Sequence, residues 1–373
     1  MKNLLFLNLT AFSQTGGLEK FNRCFMKALG LVSEETGLKC EAYSLYDTQS
    51  DERYFPASSY KGFGKKRLQF VAASILKSRR QDVIVLGHIN LAIVGVAIKK
   101  LFPGKKLALI CHGIEVWQPL QGVKKKVLEQ ADHILAVSAF TKDKLVSIQG
   151  LQSDKVVVFH NTIDPFFEMP GVFEKDKALM QRYGLKDNDF VLFSLCRLSS
   201  NEQYKGYDQV IKALPALLGK YPNIKYIIAG KYDEMEHQRV TALVETLGVK
   251  ESVILTGFIK NEEITAHYQL ADTYIMPSNG EGFGIVFIEA TACGVRAIAG
   301  NKDGSIDALM NGELGTLVDP MNVDEIAAAI EKNINEGWNA DAGKKLQQKT
   351  MDNFGFGAYT SRLKMLLKQI VAN

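Results

Sequence analysis

The chain has 373 residues, of which 46% are hydrophobic and 23% charged, and its formal net charge is +4. This length accommodates two domains of ordinary size, and this composition is that of a globular protein rather than a disordered or fibrous one. The five cysteines are odd in number and scattered, with no CxxC or Cys/His spacing, which favours a reduced cytoplasmic protein without a structural metal.

The sequence opens with an apolar run, MKNLLFLNLTAF, that is too short to span a bilayer and lacks a small-residue cleavage site. We therefore predict that it forms the first strand of a sheet. From there, short apolar runs alternate with helical patterns, which is typical of a parallel sheet with crossover helices. The strands predicted in this half are Leu4–Leu9, Glu41–Leu45, Val83–Gly87, Leu107–Cys111, Ile134–Val137 and Val156–Phe159. The helices predicted between them lie near 17–36, 64–80, 90–102, 122–131 and 140–149.

The alternation breaks at residues 160–190, where two prolines and many charges predict a domain linker, and then restarts. The strands predicted beyond it are Val191–Leu195, Tyr226–Ala229, Val253–Leu255, Thr273–Met276, Ala297–Ala299 and Thr316–Val318, and the helices 207–220, 234–247, 261–271, 285–293, 305–311 and 323–336. The sequence thus predicts an α/β protein of two doubly wound, Rossmann-like parallel-sheet domains, 1–165 and 166–355, with a terminal helix at 356–373. Such sheets bind ligands at the carboxyl ends of their strands.

Gly16 and Gly17 follow the first predicted strand and precede the first predicted helix. The surrounding sequence, FSQTGGLEKF, is not a GxGxxG fingerprint, and no acidic residue closes the second strand where a nicotinamide ribose would need one. A dinucleotide site is therefore disfavoured. A ligand-binding loop and a plain connecting turn both fit these glycines.

Basic residues are concentrated between positions 60 and 126, where fourteen Lys or Arg stand against Asp82 and Glu115. This segment carries a net charge of +12 and the remainder −8, which predicts an anionic partner, although a solvated basic face explains it equally well. Within the basic stretch 61–80 we predict a helix. Its predicted apolar side is Leu68, Phe70, Val71, Ile75 and Leu76. Such a helix either lies on an anionic membrane, faces a lipid-phosphate-linked acceptor, or packs on the core with charged ends.

Two histidines follow predicted strands. His112 stands in CHGIEVW and His88 in GHIN. A lone histidine is more often bonded to a backbone carbonyl than engaged in chemistry, so the residues alone leave the role of His112 open. His88 is the weaker candidate, for lining an acceptor site.

Two cations follow the first strand of the second half, where Arg197 and Lys205 stand in CRLSSNEQYKGYD. An Arg and a Lys on one loop can neutralise a diphosphate leaving group, although surface cations near strand ends are also common.

The most informative stretch runs from Asp272 to Asp319 and reads as a strand, a glycine-rich loop and a helix. Unpaired N–H groups and the helix dipole favour an anion such as phosphate at that helix N-terminus. Glu281 lies in the loop and Glu289 about one turn into the helix, so the two carboxylates suit separate roles rather than one close pair. A glycine-rich turn before a helix with an early Glu is also common for structural reasons alone.

The segment EGFGIVFIEATACG resembles the Glu-x7-Glu signature of the family 4 retaining glycosyltransferases (glycosyl transferases group 1), and AIAGNKDGSIDAL and GELGTLVDP resemble that family's next two segments. The resemblance covers most of the chain and implies the GT-B arrangement of two such domains, an acceptor-side one and a donor-binding one. It implies that Glu281 contacts the donor sugar, that the backbone of Gly282, Phe283 and Gly284 holds the diphosphate, and that Glu289 binds the ribose.

Other segments carry the same resemblance. RLSSNEQYKGYD resembles the family's Arg…Lys-Gly element, which implies that Arg197 and Lys205 grip the diphosphate. The resemblance also places His112 beside the donor sugar, Gly16 and Gly17 near the diphosphate and the acceptor, and Phe258 and Ile259 near the nucleotide base.

The implied activity is transfer of a hexosyl unit, with retention, from a nucleotide sugar to a hydroxyl of a glycan, polysaccharide or lipid-linked sugar. No DxD pair follows a strand and no carboxylate cluster suits a hard cation, so we expect neither a metal nor another cofactor. Nucleic acid is not an expected partner. The enzyme is expected in the cytoplasm, free or associated with a membrane. Two alternatives stay open, a nucleotide-sugar epimerase of the same architecture and a non-catalytic nucleotide-binding partner subunit.

Overall fold

The computed structural model describes residues 2–372, apart from the side chain of Ala372. The chain divides into two compact units. Unit 1 comprises the residues up to Pro165 together with those from Phe354 onward, and unit 2 comprises Phe166–Asn353. Each unit contains one parallel sheet with helices connecting its strands, so the predicted fold class is confirmed. The acceptor-side and donor-binding roles assigned to the two predicted domains stay predictions.

The sheet of unit 1 has seven parallel strands in the order β3-β2-β1-β4-β5-β6-β7. They are β1 Asn3–Asn8, β2 Lys39–Ser44, β3 Tyr60–Gly62, β4 Val83–Leu86, β5 Lys106–Cys111, β6 His133–Ala136 and β7 Val156–Val158. The helices are α1 Gly17–Thr36, α2 Arg67–Ser78, α3 Ala92–Leu101, α4 Gly122–Gln130 and α5 Ala139–Ser147. The central strands β4 and β5 are almost wholly buried, which explains why they read as continuous apolar runs.

The sheet of unit 2 has six parallel strands in the order β10-β9-β8-β11-β12-β13. They are β8 Phe190–Leu195, β9 Ile224–Ala229, β10 Val253–Gly257, β11 Thr273–Met276, β12 Arg296–Gly300 and β13 Gly315–Val318. The helices are α6 Lys177–Arg182, α7 Tyr207–Leu218, α8 Glu234–Thr246, α9 Ile264–Leu270, α10 Ile285–Ala292, α11 Ser305–Ala308, α12 Val323–Glu336 and α13 Ala340–Phe354. The predicted linker 160–190 therefore contains one short helix, α6, capped by the Asp176 side chain.

The last helix, α14, runs from Phe356 to Ala372 and packs against α1 within unit 1. Tyr359 and Leu363 are fully buried there, and the Ile163 N–H donates to the Phe354 carbonyl over 2.9 Å. No helix of residues 2–372 has the length and apolar character needed to cross a bilayer.

The predicted apolar side of the basic stretch is wrong in one respect. The helix starts at Arg67, after Lys65 has taken a positive φ of 72°, and it buries Phe70, Ser74 and Ser78. Leu68 and Leu76 lie on the outside, 88% and 74% exposed. The reason is geometric: positions 70, 74 and 78 form one stripe of the helix, and positions 68 and 76 do not belong to it.

Candidate functional site

In unit 2 a glycine-rich loop connects β11 to the buried helix α10. Gly284 precedes the helix with a φ of 85°, a left-handed conformation that L side chains rarely adopt. No side chain caps the first turn, and its N–H groups are available for an acceptor apart from that of Phe287, which donates to the Gly284 carbonyl over 3.0 Å. Gly280 is required for close packing, because a Cβ there would lie 2.6 Å from the Tyr204 ring. The loop is thus shaped to bring backbone close to whatever lies before α10.

Lys205 is held against this loop by three backbone features. It ends a short 3-10 turn, and the next residue, Gly206, has a φ of 81°. A Cβ on Gly206 would lie 2.1 Å from the Pro277 carbonyl oxygen, so only glycine allows this approach. The Asn279 N–H donates to the Tyr204 carbonyl over 3.0 Å. The two segments therefore form one rigid arrangement.

The Lys205 ammonium forms an ion pair with the Glu281 carboxylate, and both side chains are largely buried, at 14% and 16% exposed. Burial alone would lower the pKa of Lys205, but the Glu281 carboxylate and the Tyr204 side chain outweigh burial and raise that pKa above its usual value. Lys205 is accordingly a fixed cation at neutral pH.

Arg197 is more exposed, at 57%, and its Nη1 lies 2.9 Å from Glu202 Oε1. The other oxygen of Glu202 lies 4.0 Å from Lys205 Nζ. The two predicted cations therefore share a carboxylate that the sequence did not single out. Glu202 stands in the loop between them, and no local pattern distinguishes it from a solvated surface acid.

Asp303 is a second functional candidate that the sequence analysis missed. Its side chain is fully buried, and Oδ2 accepts from the Ser278 hydroxyl and the Glu281 N–H, both over 2.7 Å. Oδ1 accepts from the Ser305 N–H over 2.9 Å, and the Gly304 N–H donates to the Glu281 carbonyl over 2.8 Å. Burial raises the pKa of Asp303 to about 6, although these bonds oppose the rise. Asp303 thus fixes the backbone that carries Glu281.

Three other predicted donor-site residues are buried. Glu289 lies in α10 as expected and is fully buried, and its Oε2 accepts from the Tyr268 hydroxyl over 3.1 Å. The Phe283 and Ile259 side chains are 2% and 6% exposed. These two residues could therefore contact a nucleotide only through their backbone groups. The neighbouring Phe258 side chain, in contrast, is 54% exposed, and Lys231 Nζ lies 5.0 Å from its ring centroid.

In unit 1 the first glycine-rich loop is organised by Asp47, which follows β2 and is 1% exposed. Its carboxylate accepts from the N–H groups of Ala11 and Ser13 over 2.7 and 2.8 Å, and from the Ser44 hydroxyl over 2.8 Å. Burial would raise the pKa of Asp47, but these bonds more than compensate and lower it. Helix α1 begins at Gly17, as predicted, and a Cβ on Gly17 would meet nothing within 4 Å.

His112 follows β5, and its Nε2 lies 2.7 Å from the Gly87 carbonyl. A carbonyl only accepts, so Nε2 carries the proton and Nδ1 is the basic nitrogen. Burial lowers the pKa of His112, which keeps the ring neutral. The His88 ring stacks on it at 5.8 Å between centroids, and Phe21 of α1 meets it edge-on at 4.8 Å.

The structure therefore brings Arg197, Lys205, Glu281 and the loop 282–284 together in unit 2. In unit 1 it places His112 in ring contact with Phe21 of α1. The roles of these residues toward a ligand stay predictions. Among residues 2–372, no three His, Cys, Asp or Glu side chains are grouped as a metal would require.

Two family descriptions match the sequence. Residues 175–351 match the family described as "Glycosyl transferases group 1", and residues 35–166 match "Glycosyltransferase Family 4". Together these matches cover the main parts of both units.

Among curated proteins, the chain is 30% identical over 275 residues to a GDP-mannose-dependent alpha-(1-6)-phosphatidylinositol monomannoside mannosyltransferase of Mycolicibacterium smegmatis. That alignment covers 70% of each protein. A protein of the same name from Mycobacterium tuberculosis is 31% identical over 59% of the chain and 58% of its own length. A D-inositol 3-phosphate glycosyltransferase of Mycobacterium sp. is 26% identical over 62% of the chain and 52% of its own length.

Solved structures share the fold at low identity. Anabaena HepE in complex with UDP has a TM-score of 0.77 at 19% identity, with 99% of this chain and 100% of that chain covered. A glycosyltransferase from Rickettsia africae has a TM-score of 0.78 at 20% identity, with coverages of 100% and 99%. The sucrose-phosphate synthase of Thermosynechococcus elongatus has a TM-score of 0.77 at 18% identity and full coverage of both chains.

Proposed function

Because this chain belongs to glycosyltransferase family 4 and is a nucleotide-sugar-dependent glycosyltransferase of the GT-B fold, we propose that it transfers a hexosyl unit with retention and without a metal ion. The observation that carries the proposal is the buried Lys205–Glu281 ion pair, which lies beside the N-terminus of α10, where no side chain caps the helix. A fixed cation next to unsatisfied N–H groups suits a diphosphate, whose charge grows as the glycosidic bond breaks.

The donor would change the partners of this pair. Diphosphate oxygens would accept from the amides of loop 282–284 and from Lys205, with Arg197 at the exposed side. Glu281, released from Lys205, would then accept from hydroxyls of the sugar. His112 would assist at the sugar as a neutral ring, since its Nε2 proton is already committed to Gly87.

Retention follows in this proposal from the leaving group itself. No Asp or Glu is assigned as a nucleophile, so the departing phosphate oxygen would take the proton of the incoming hydroxyl on the face it leaves. The new bond then forms on the same face as the old one, and the configuration of the anomeric carbon is kept.

The acceptor is proposed to be the hydroxyl of a glycan, a polysaccharide or a lipid-linked sugar. A lipid-linked sugar is the first choice, because the M. smegmatis relative is named for a phosphatidylinositol mannoside. The same name makes GDP-mannose the first donor to test. We place the enzyme in the cytoplasm, in association with a membrane.

The test is a thermal-shift panel of GDP-mannose, UDP-glucose and ADP-glucose, followed by product analysis with the donor that stabilises the protein. An α-linked product from an α-linked donor supports retention, whereas a β-linked product refutes it. Activity that survives EDTA supports the metal-free reaction. Activity that disappears with EDTA and returns with Mg²⁺ or Mn²⁺ refutes it.

A further inference from the structure

Helix α2 packs Phe70, Val71 and Ile75 against the core, yet its outward face, formed by Leu68, Ala72 and Leu76, is apolar as well. These three positions are exposed, with the leucines at 88% and 74%, while two of the three residues that α2 buries are serines, Ser74 and Ser78. In a helix of a globular protein the apolar stripe normally faces the core and the polar one faces water. The α2 face is therefore suited to an apolar surrounding that lies outside unit 1.

The neighbouring helix α3 extends this apolar surface. It packs beside α2 and exposes Ile93 and Leu101, at 61% and 57%. A groove of about 500 Å³ at the carboxyl edge of the sheet is lined by Phe70 and Val71 of α2 and by Ile93, with Arg67 at its side. The groove thus adjoins the apolar surface and shares Ile93 with it.

Cations border the apolar surface at both ends of α2. Lys65, Lys66 and Arg67 stand at its start and Arg79 and Arg80 at its end, and all five are exposed. Within the described part of the chain none of them forms an ion pair, whereas Lys77, inside the helix, is paired with Glu41. Exposed leucines between cations without acidic partners match the two layers of an anionic bilayer, the acyl region and the phosphate region.

We infer that the α2 face docks on an anionic phospholipid membrane, with Leu68 and Leu76 in the acyl boundary and the five cations at the phosphates. The inference rests on the proposed function, because it specifies where a lipid-linked acceptor would be presented. The groove beside α2 then receives the apolar part of that acceptor as it leaves the bilayer, with Arg67 close to its phosphate.

The experiment is co-sedimentation of the full chain with vesicles of phosphatidylcholine, and of phosphatidylcholine mixed with phosphatidylglycerol. We expect binding only to the anionic vesicles, and weaker binding at high salt. Leu68→Ser and Leu76→Ser should each lower the partition coefficient about tenfold. Replacement of a single cation by Gln, as in Lys66→Gln, should lower it about fivefold. The matched control is Met365→Ser, since Met365 is 59% exposed on α14 of the same unit, and it should leave binding unchanged.

Several outcomes would overturn the inference. They are absence of vesicle binding, binding that ignores lipid charge, equal effects of Leu76→Ser and Met365→Ser, and self-association through the leucines in place of vesicle binding. Stabilisation by a nucleotide sugar is measured on the same variants. If it persists where vesicle binding fails, only the membrane inference is lost. If vesicle binding persists and no nucleotide sugar stabilises the protein, only the proposed function is lost.

Discussion

Replacement of Lys205 by Ala tests the site most directly. The change removes the cation that we propose contacts the diphosphate, and it leaves the Glu281 carboxylate, only 16% exposed, without its ion-pair partner. Loss of one preorganised electrostatic group typically lowers turnover by about 10²–10³-fold. Loss of one partner of a buried ion pair costs about 3–5 kcal/mol of stability, and the residual exposure of this pair places the cost at or below the lower end, about 3 kcal/mol or less.

The two effects are separated by a second substitution. Glu281→Gln in the Lys205→Ala background removes the stranded charge, so most of the lost stability should return while turnover stays low. The matched control is Lys212→Ala, because Lys212 is an exposed lysine of α7 outside the site, and it should alter neither quantity. Turnover is measured as kcat/KM for the donor identified by thermal shift, and stability by urea unfolding. A Lys205→Ala enzyme within about threefold of the wild-type kcat/KM would refute the electrostatic role, since a factor of ten already corresponds to only about 1.4 kcal/mol.

Three further predictions concern the groups that shape the loops. Protonation of Asp303 removes an acceptor from the Glu281 loop, so kcat/KM should fall below about pH 6, and Asp303→Asn should have low activity without this acid limb in its pH profile. The stability effect has the opposite sign. Because the folded-state pKa of Asp303 is raised, its contribution to the free energy of unfolding is fully present below about pH 4 and is lost as the pH rises through 6. Urea titrations of the wild type and Asp303→Asn at both pH values will detect this loss. Gly206→Ala should lower both stability and kcat/KM, since its Cβ would clash with the Pro277 carbonyl, whereas Gly248→Ala, also at positive φ but in open space, should affect stability alone. Asp47→Asn should destabilise the protein by about 2 kcal/mol at pH 7. The difference from wild type, measured by urea unfolding, should shrink as the pH falls through the lowered pKa of Asp47.

Much of the fold could be read from local pattern. The helices Gly17–Thr36 and Val323–Glu336 begin and end where periodicity predicts, because long amphipathic helices carry a strong signal. The order of strands and helices was likewise predicted, since buried parallel strands read as short apolar runs. The elements missed were the three-residue edge strand β3, the short helix α6 and the polar helix α13, none of which carries a clear apolar run.

The candidate site divides in the same way. The sequence by itself determined that Glu281 and Lys205 lie in loops and Glu289 in a helix, because the apolar runs and glycines around them show where the strands and helices begin and end. Only the tertiary structure decided that Asp303 and Asp47 hold the two glycine-rich loops. Asp303 bonds a residue 22 positions away and Asp47 one 36 positions away, and no local period records such pairs. The outward direction of Leu68 and Leu76 was also decided by the fold, since a periodic pattern shows that a helix has two sides but not which side the sheet will cover.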